Sequence, residues 1–163
     1  MSSQEEHAAI ARGIVDANLY MVLGTVGEEG RPWVSPVFYA TADYTRFYWT
    51  SLPQARHSRN LARRPDVSVV IFDSRVPAYT GQGVYMSGVA EELAGDDLAR
   101  GLDVYPGAAE RGARVMAAEE FLPPAPFRLY RATATHHSIL CPSRARPCPV
   151  HGAAGDHRVA VTL

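Results

Sequence analysis

The chain contains no lysine; all 16 of its permanently basic side chains are arginine. A lysine Schiff base to pyridoxal phosphate is therefore excluded. Arginine, histidine, hydroxyls or backbone amides must hold any anion. A genomic preference for arginine codons accounts for the same bias. Cysteine is almost as scarce: Cys141 and Cys148 are the only two in 163 residues, too few for a disulfide framework. Long apolar runs are missing, and the opening MSSQEEH lacks a signal-peptide layout. These absences predict a cytoplasmic protein with no membrane partner. An excess of either charge is missing too, with 16 basic against 17 acidic residues. That balance argues against nucleic acid as a partner. There is no Walker loop, no G-x-S-x-G and no Ser-His-Asp order, and Gly81-Gln82-Gly83 is not a dinucleotide fingerprint.

What is present reads as one domain spanning residues 1–163, long enough to bury a core. Residues 1–19 carry an N-terminal helix: Ser3 and Glu6 suit a capping box, and Ile10, Ile14 and Ala17 recur at helical spacing. Strands are predicted over 20–26 and 31–39 around the turn Gly27-Glu28-Glu29-Gly30. Pro36 removes a ladder donor from the second of these, which points to a sheet edge or a ligand. A loop over 74–82 leads to a strand over 83–93, where Gly88 suggests a bulge or a close backbone approach. Residues 94–122 form a helical insertion, with helices predicted from Gly95 and over 108–121. A long strand over 127–140, a loop to 155 and a terminal strand complete the chain. At least six strands with scattered helices predict a mainly β antiparallel barrel with accessory helices.

The stretch FYWTSLPQARHSRNLARRPDVSVVIFD, residues 47–73, organises the rest. It opens as an aromatic strand. Ser51 then suits a helix N-cap and Pro53 a first turn, so a helix is expected from about Ser51 to Pro65. Residues 67–72 are apolar at nearly every position and read as a strand buried on both faces. A helix N-terminus favours an anion. Thr50 and Ser51 just before it, and Arg56 and His57 within it, make a candidate phosphate seat. Arg56, Arg59, Arg63 and Arg64 read equally well as a solvated helix face.

The segment from Cys141 to His151 carries metal-capable side chains, with His136, His137 and His157 nearby. It has no C-x-x-C and no H-x-x-x-H, and three prolines stiffen it. It reads as a loop, and no metal site is expected.

Several motifs occur together in order: W-V-S-P-V-F from Trp33, S-x-x-x-x-R-H-x-x-N-L from Ser51, P-D-V-S-V-V-I-F-D from Pro65, G-V-Y-M-S-G-V-A-E-E-L from Gly83 and R-L-Y-R-A-T from Arg128. In this the chain resembles the FMN-binding split β-barrel family of pyridoxamine 5'-phosphate oxidase-like proteins and their deazaflavin-using relatives. The likeness runs from about Tyr20 to the C-terminus. It implies a split antiparallel β-barrel of the FMN-binding type and a homodimer with flavin at the interface. It also implies an oxidoreductase moving hydride between a reduced donor, such as a nicotinamide, and a small-molecule substrate. A deazaflavin coenzyme in place of FMN, or a non-catalytic flavin- or haem-binding carrier or sensor, are the alternatives. The cofactor-binding positions it implies are Val34, Ser35, Pro36, Val37, Trp49, Thr50, Ser51, Gln54, Arg56, His57 and Gln82, with no catalytic residue assigned. The chain departs from the oxidases' R-L-H-D-R-like C-terminal segment, carrying Asp156-His157-Arg158-Val159-Ala160-Val161 there, and lacks their phosphate-site lysines. That argues against pyridoxamine phosphate as the substrate.

Overall fold

The computed structural model describes residues 3–143 and 145–163; Arg144, within the proline-stiffened loop, lies outside them. Eight strands form one antiparallel sheet: β1 (Tyr20–Val26), β2 (Pro32–Phe38), β3 (Ala40–Thr41), β4 (Arg46–Ser51), β5 (Asp66–Phe72), β6 (Gly83–Glu92), β7 (Arg128–Leu140) and β8 (Arg158–Val161). Their spatial order is β2-β1-β5-β6-β7-β4-β3, with β8 on β7. The sheet curls into a half-barrel, the split β-barrel architecture that the motif order implies. No helix among the described residues is long and apolar enough to cross a membrane.

Alternation decides what the curl encloses. Met21 and Leu23 of β1, Val67, Val69 and Ile71 of β5, and Phe47 and Trp49 of β4 point inward and are buried. Helix α1 (Ser3–Ala17) closes this core with Ala8, Ala11 and Val15, a 3–4 spacing that lines one helix face. Ile10 and Ile14 flank that face rather than form it. The Tyr39 hydroxyl donates to the Val15 carbonyl at 2.6 Å and ties the helix end to the sheet. A second, smaller core lies on the other side of β4 and β7. Tyr48 and Leu129 there meet Leu98, Tyr105 and Phe121 of the 94–122 insertion.

The structure corrects three expectations. Strand β5 is not buried on both faces: its burial alternates, leaving Asp66, Ser68 and Phe72 exposed. The helix expected over 108–121 is two short 3₁₀ turns, Ala109–Arg111 and Ala118–Phe121. Gly112 between them has φ +81° and Val115 is 77% exposed, so the segment reaches the second core through Met116 and Phe121 and not along a continuous helical face. The helix after β4, α2 (Arg56–Arg63), starts five residues later than expected. Ser51 stays in the ladder opposite Arg128, and Leu52 to Ala55 form a turn closed by the Ala55 amide on the Leu52 carbonyl at 3.0 Å. Tertiary pairing thus overrode the N-cap preference of Ser51.

Gly88 behaves as its sequence context suggests. The β6–β7 register shifts between Ser87 and Gly88, and a Cβ on Gly88 would fall 2.0 Å from the Thr133 carbonyl oxygen. Pro36 lies in β2, which pairs only with β1 and forms the sheet edge.

Candidate functional site

Three elements meet where β4 hands the chain to α2. His57, in the first turn of α2, lies between two hydroxyls. Its Nε2 is 2.8 Å from Ser51 Oγ at the end of β4, and its Nδ1 is 3.2 Å from Ser35 Oγ on β2. One nitrogen of a neutral ring donates and the other accepts, so the two serines play opposite roles. Ser58 Oγ donates to Ser51 Oγ at 3.2 Å, and Trp33 Nε1 donates to Ser35 Oγ at 2.9 Å. Burial holds His57 below the usual imidazole range. The ring is therefore neutral at pH 7 and offers hydrogen bonds rather than charge.

The charge comes from Arg56. Its guanidinium lies 4.2 Å from the Trp33 ring centroid, and among the described residues no carboxylate engages it. Its helix neighbours are committed elsewhere: Arg63 pairs with Glu28 at 2.7 Å, and Arg59 donates to the Gln54 carbonyl at 2.6 Å. The N-cap position of α2 is Ala55, which has no side-chain acceptor for the first-turn amides. Those N–H groups and the dipole's positive end therefore have no side-chain cap. Asn60 anchors the helix from below, donating to Thr25 Oγ1 at 3.0 Å.

The structure gathers Ser35, Ser51, Arg56 and His57 into one cluster, with the exposed Gln54 on the turn leading into it. Val34 and Pro36 are exposed on the adjacent edge strand, where outward backbone groups have no partner strand. Val37 faces the core. Two residues are placed differently from expectation. Trp49 is fully buried and stacks on Tyr130 at 5.6 Å, so its side chain is core. Thr50 lies one residue before Ser51, and strand alternation sends its hydroxyl to the opposite face. There Thr50 Oγ1 is buried without a hydrogen-bond partner.

Gln82 lies elsewhere again. Its amide nitrogen donates to the Leu140 carbonyl at 2.9 Å, and its oxygen accepts the Leu140 amide at 3.1 Å. Ser51 pairs at the Arg128 end of the 13-residue β7 and Leu140 is the other end. At about 3.3 Å per residue, that is roughly 40 Å along the strand. Within one chain Gln82 is a structural clamp remote from the seat.

Sequence reasoning missed Trp33 and Ser58 as parts of the network. Both lie in the motif stretches, but only the fold shows that Trp33 supports Arg56 and Ser35. It also missed a cluster at the Leu140 end, where Cys141, Cys148, His151 and His157 come together. The signal available was C-x-x-H followed by glycine at Cys148, a spacing outside the two patterns sought.

Residues 7–141 match the family model described as pyridoxamine 5'-phosphate oxidase. No curated protein matches the chain. Among solved structures, the chain is similar to a protein from Clostridium acetobutylicum related to general stress protein 26 of B. subtilis, of the pyridoxinephosphate oxidase family. That match has 15% identity and TM-score 0.56, and it covers 92% of this chain and 91% of that one. It is also similar to a heme binding protein from Mycobacterium smegmatis, with 22% identity, TM-score 0.63 and coverages of 91% and 55%. An F420 reductase matches with 19% identity, TM-score 0.53 and coverages of 78% and 94%.

Proposed function

The chain belongs to the pyridoxamine 5'-phosphate oxidase family, and on that premise we propose that it is a flavin-dependent oxidoreductase seating the FMN phosphate at the start of α2. The observation that carries this reading is the uncapped α2 N-terminus beside an uncommitted guanidinium, Arg56. The donor set fits a phosphate: free amides, one arginine and a hydroxyl–imidazole network from Ser35, Ser51 and His57. The edge strand fits the ring's polar rim, because the outward backbone groups of Val34 to Val37 are open.

Bound FMN would supply the hydride-accepting and hydride-donating ring. The protein's own residues bind and orient it. His57 fixes Ser35 and Ser51 at set positions, so little ordering is needed when the phosphate arrives. Trp33 holds the Arg56 guanidinium near the seat by cation–π attraction. A homodimer belongs to the same proposal, since the outward face of the half-barrel leaves Val34 and Phe72 exposed.

A second reading has its own support. Arg59 and Arg63 line a cleft with Arg56 and Glu28, and an acidic tail there would compete with Glu28 for Arg63 and with the Gln54 carbonyl for Arg59. A basic cleft continuing from the seat suits a deazaflavin coenzyme with a longer acidic tail. One experiment separates the readings: denature the purified protein and record the absorbance and mass spectrum of what is released. FMN supports the first, a deazaflavin the second, and haem overturns both. Turnover with a nicotinamide donor and an electron acceptor then separates an enzyme from a carrier.

A further inference from the structure

Four side chains outside the seat converge at the far end of β7. Cys141 follows that strand directly, and its amide donates to the His157 carbonyl at 2.9 Å, one rung beyond the β7–β8 ladder. Cys148 and His151 come from the tight turn Cys148-Pro149-Val150-His151-Gly152. The Gly152 amide returns to the Cys148 carbonyl at 2.8 Å, and the Cys148 amide donates to the Ala153 carbonyl at 2.9 Å. Gly152 has φ +67°, which glycine adopts at little cost. The turn therefore presents both side chains to the same point.

Four of the six separations between these ligand atoms are close to those of a coordination shell. Cys141 Sγ lies 3.9 Å from Cys148 Sγ, and the two sulfurs lie 3.6 and 3.5 Å from His151 Nδ1. His151 Nδ1 lies 3.1 Å from His157 Nε2, and all four atoms fall within 4.8 Å of one another. Zn–S bonds of about 2.3 Å and Zn–N bonds of about 2.0–2.1 Å place tetrahedral S–S, S–N and N–N edges near ~3.8, ~3.6 and ~3.3 Å. A disulfide would bring the sulfurs to about 2.05 Å and would leave the convergence of two imidazoles unaccounted for.

The surroundings agree. His157 Nδ1 lies 3.1 Å from the Gly155 carbonyl oxygen. A carbonyl only accepts, so Nδ1 carries the proton and Nε2 turns its lone pair to the centre. Cys148 is 1% exposed. Arg146 and Asp156 pair across the two arms of the loop.

We propose that Cys141, Cys148, His151 and His157 form a Cys2His2 site that binds a zinc ion. Two thiolates and two imidazoles select zinc over magnesium or calcium, which take oxygen ligands. Four protein ligands close the shell, so the ion is structural. It staples the end of β7, the glycine turn and the start of β8. The N-terminal helix rests on this unit, because Glu6, His7 and Ile10 share a hollow with Cys141, Val150 and His151.

The test uses the full chain purified under reducing conditions without chelator. Mass spectrometry for metals should find about one zinc per chain. Both thiols should resist a thiol reagent until zinc is chelated. Exchange with Co(II) should give the intense visible bands of tetrahedral cobalt and a thiolate charge-transfer band. Cys148→Ser and His151→Ala should each lower zinc content by about tenfold or more. His136→Ala, outside the cluster, should keep it. His151 is exposed, so its variant keeps the test valid if Cys148→Ser does not fold. Three results would each overturn the proposal: metal-free protein whose thiols react at once and whose Co(II) shows no tetrahedral spectrum, a Cys141–Cys148 disulfide under non-reducing mass analysis, or full zinc content in both variants.

Discussion

Replacing Arg56 with alanine tests the phosphate seat most directly. Arg56 is the one cation of the α2 first turn, and no carboxylate among the described residues neutralises it. A hydrogen bond from a charged donor to phosphate is worth about 1.5–3 kcal/mol. Solvent exposure discounts that, because surface charge pairs are screened. A loss of about 1–2 kcal/mol is expected, which weakens FMN roughly five- to thirty-fold at about 1.4 kcal/mol per decade. Arg64 is the internal control. It is the C-cap of α2, about 12 Å away by helical rise, and Arg64→Ala should bind almost as wild type. The assay is a titration of FMN into ligand-free protein, followed by quenching of flavin fluorescence. Raising the salt should narrow the gap between wild type and Arg56→Ala but not between wild type and Arg64→Ala. Equal affinities for all three proteins would place the phosphate elsewhere and refute the seat.

Other expectations follow from single features. Sedimentation at micromolar concentration should show a homodimer, given the exposed Val34 and Phe72 on the outer sheet face; a monomer would remove the reason for placing flavin at an interface. Gly88→Ala should cost about 3 kcal/mol or more, because its Cβ would meet the unyielding Thr133 carbonyl oxygen. At about 2–4 °C per kcal/mol, a melting temperature lowered by roughly 6–12 °C is the expected result, and an unchanged one would contradict the close approach. Acid should destabilise the ligand-free protein before its carboxylates titrate. Burial holds His57 and His137 below the usual imidazole range, though the Tyr44 carbonyl partly opposes this at His137. The unfolded chain therefore takes up protons first as pH falls through about 6.5 towards the lower folded values, and stability drops over that window. A melting temperature flat between about pH 7.5 and 5 would show that neither ring is held neutral by the fold.

Much of the architecture was legible in the residues themselves. Strand β1 runs over the predicted residues 20–26, because a run of strand formers ended by a Gly-Glu-Glu-Gly turn is a local property of the chain. Gly88 and Pro36 announced a close approach and a sheet edge for equally local reasons: one lacks a Cβ and the other an N–H. The motif order led to the family, and of the four residues named for a phosphate seat the structure keeps Ser51, Arg56 and His57 together and sends Thr50 to the other face. Tertiary structure alone decided the rest. Ser51 stayed in β4 because pairing with Arg128 outweighed an N-cap worth about 1 kcal/mol. Thr50 and Ser51 parted because adjacent strand residues face opposite ways, and Trp49 went to the core with them as neighbours. Residues 108–121 had helical composition, but Gly112 at φ +81° breaks the segment, and Met116 and Phe121 reach the second core without a continuous helix. The cysteines and histidines of the last loop matched neither spacing sought, since two of the four residues, Cys141 and His157, flank the paired strands β7 and β8. Pairing across β7 and β8, not distance along the chain, brought Cys141 beside His157.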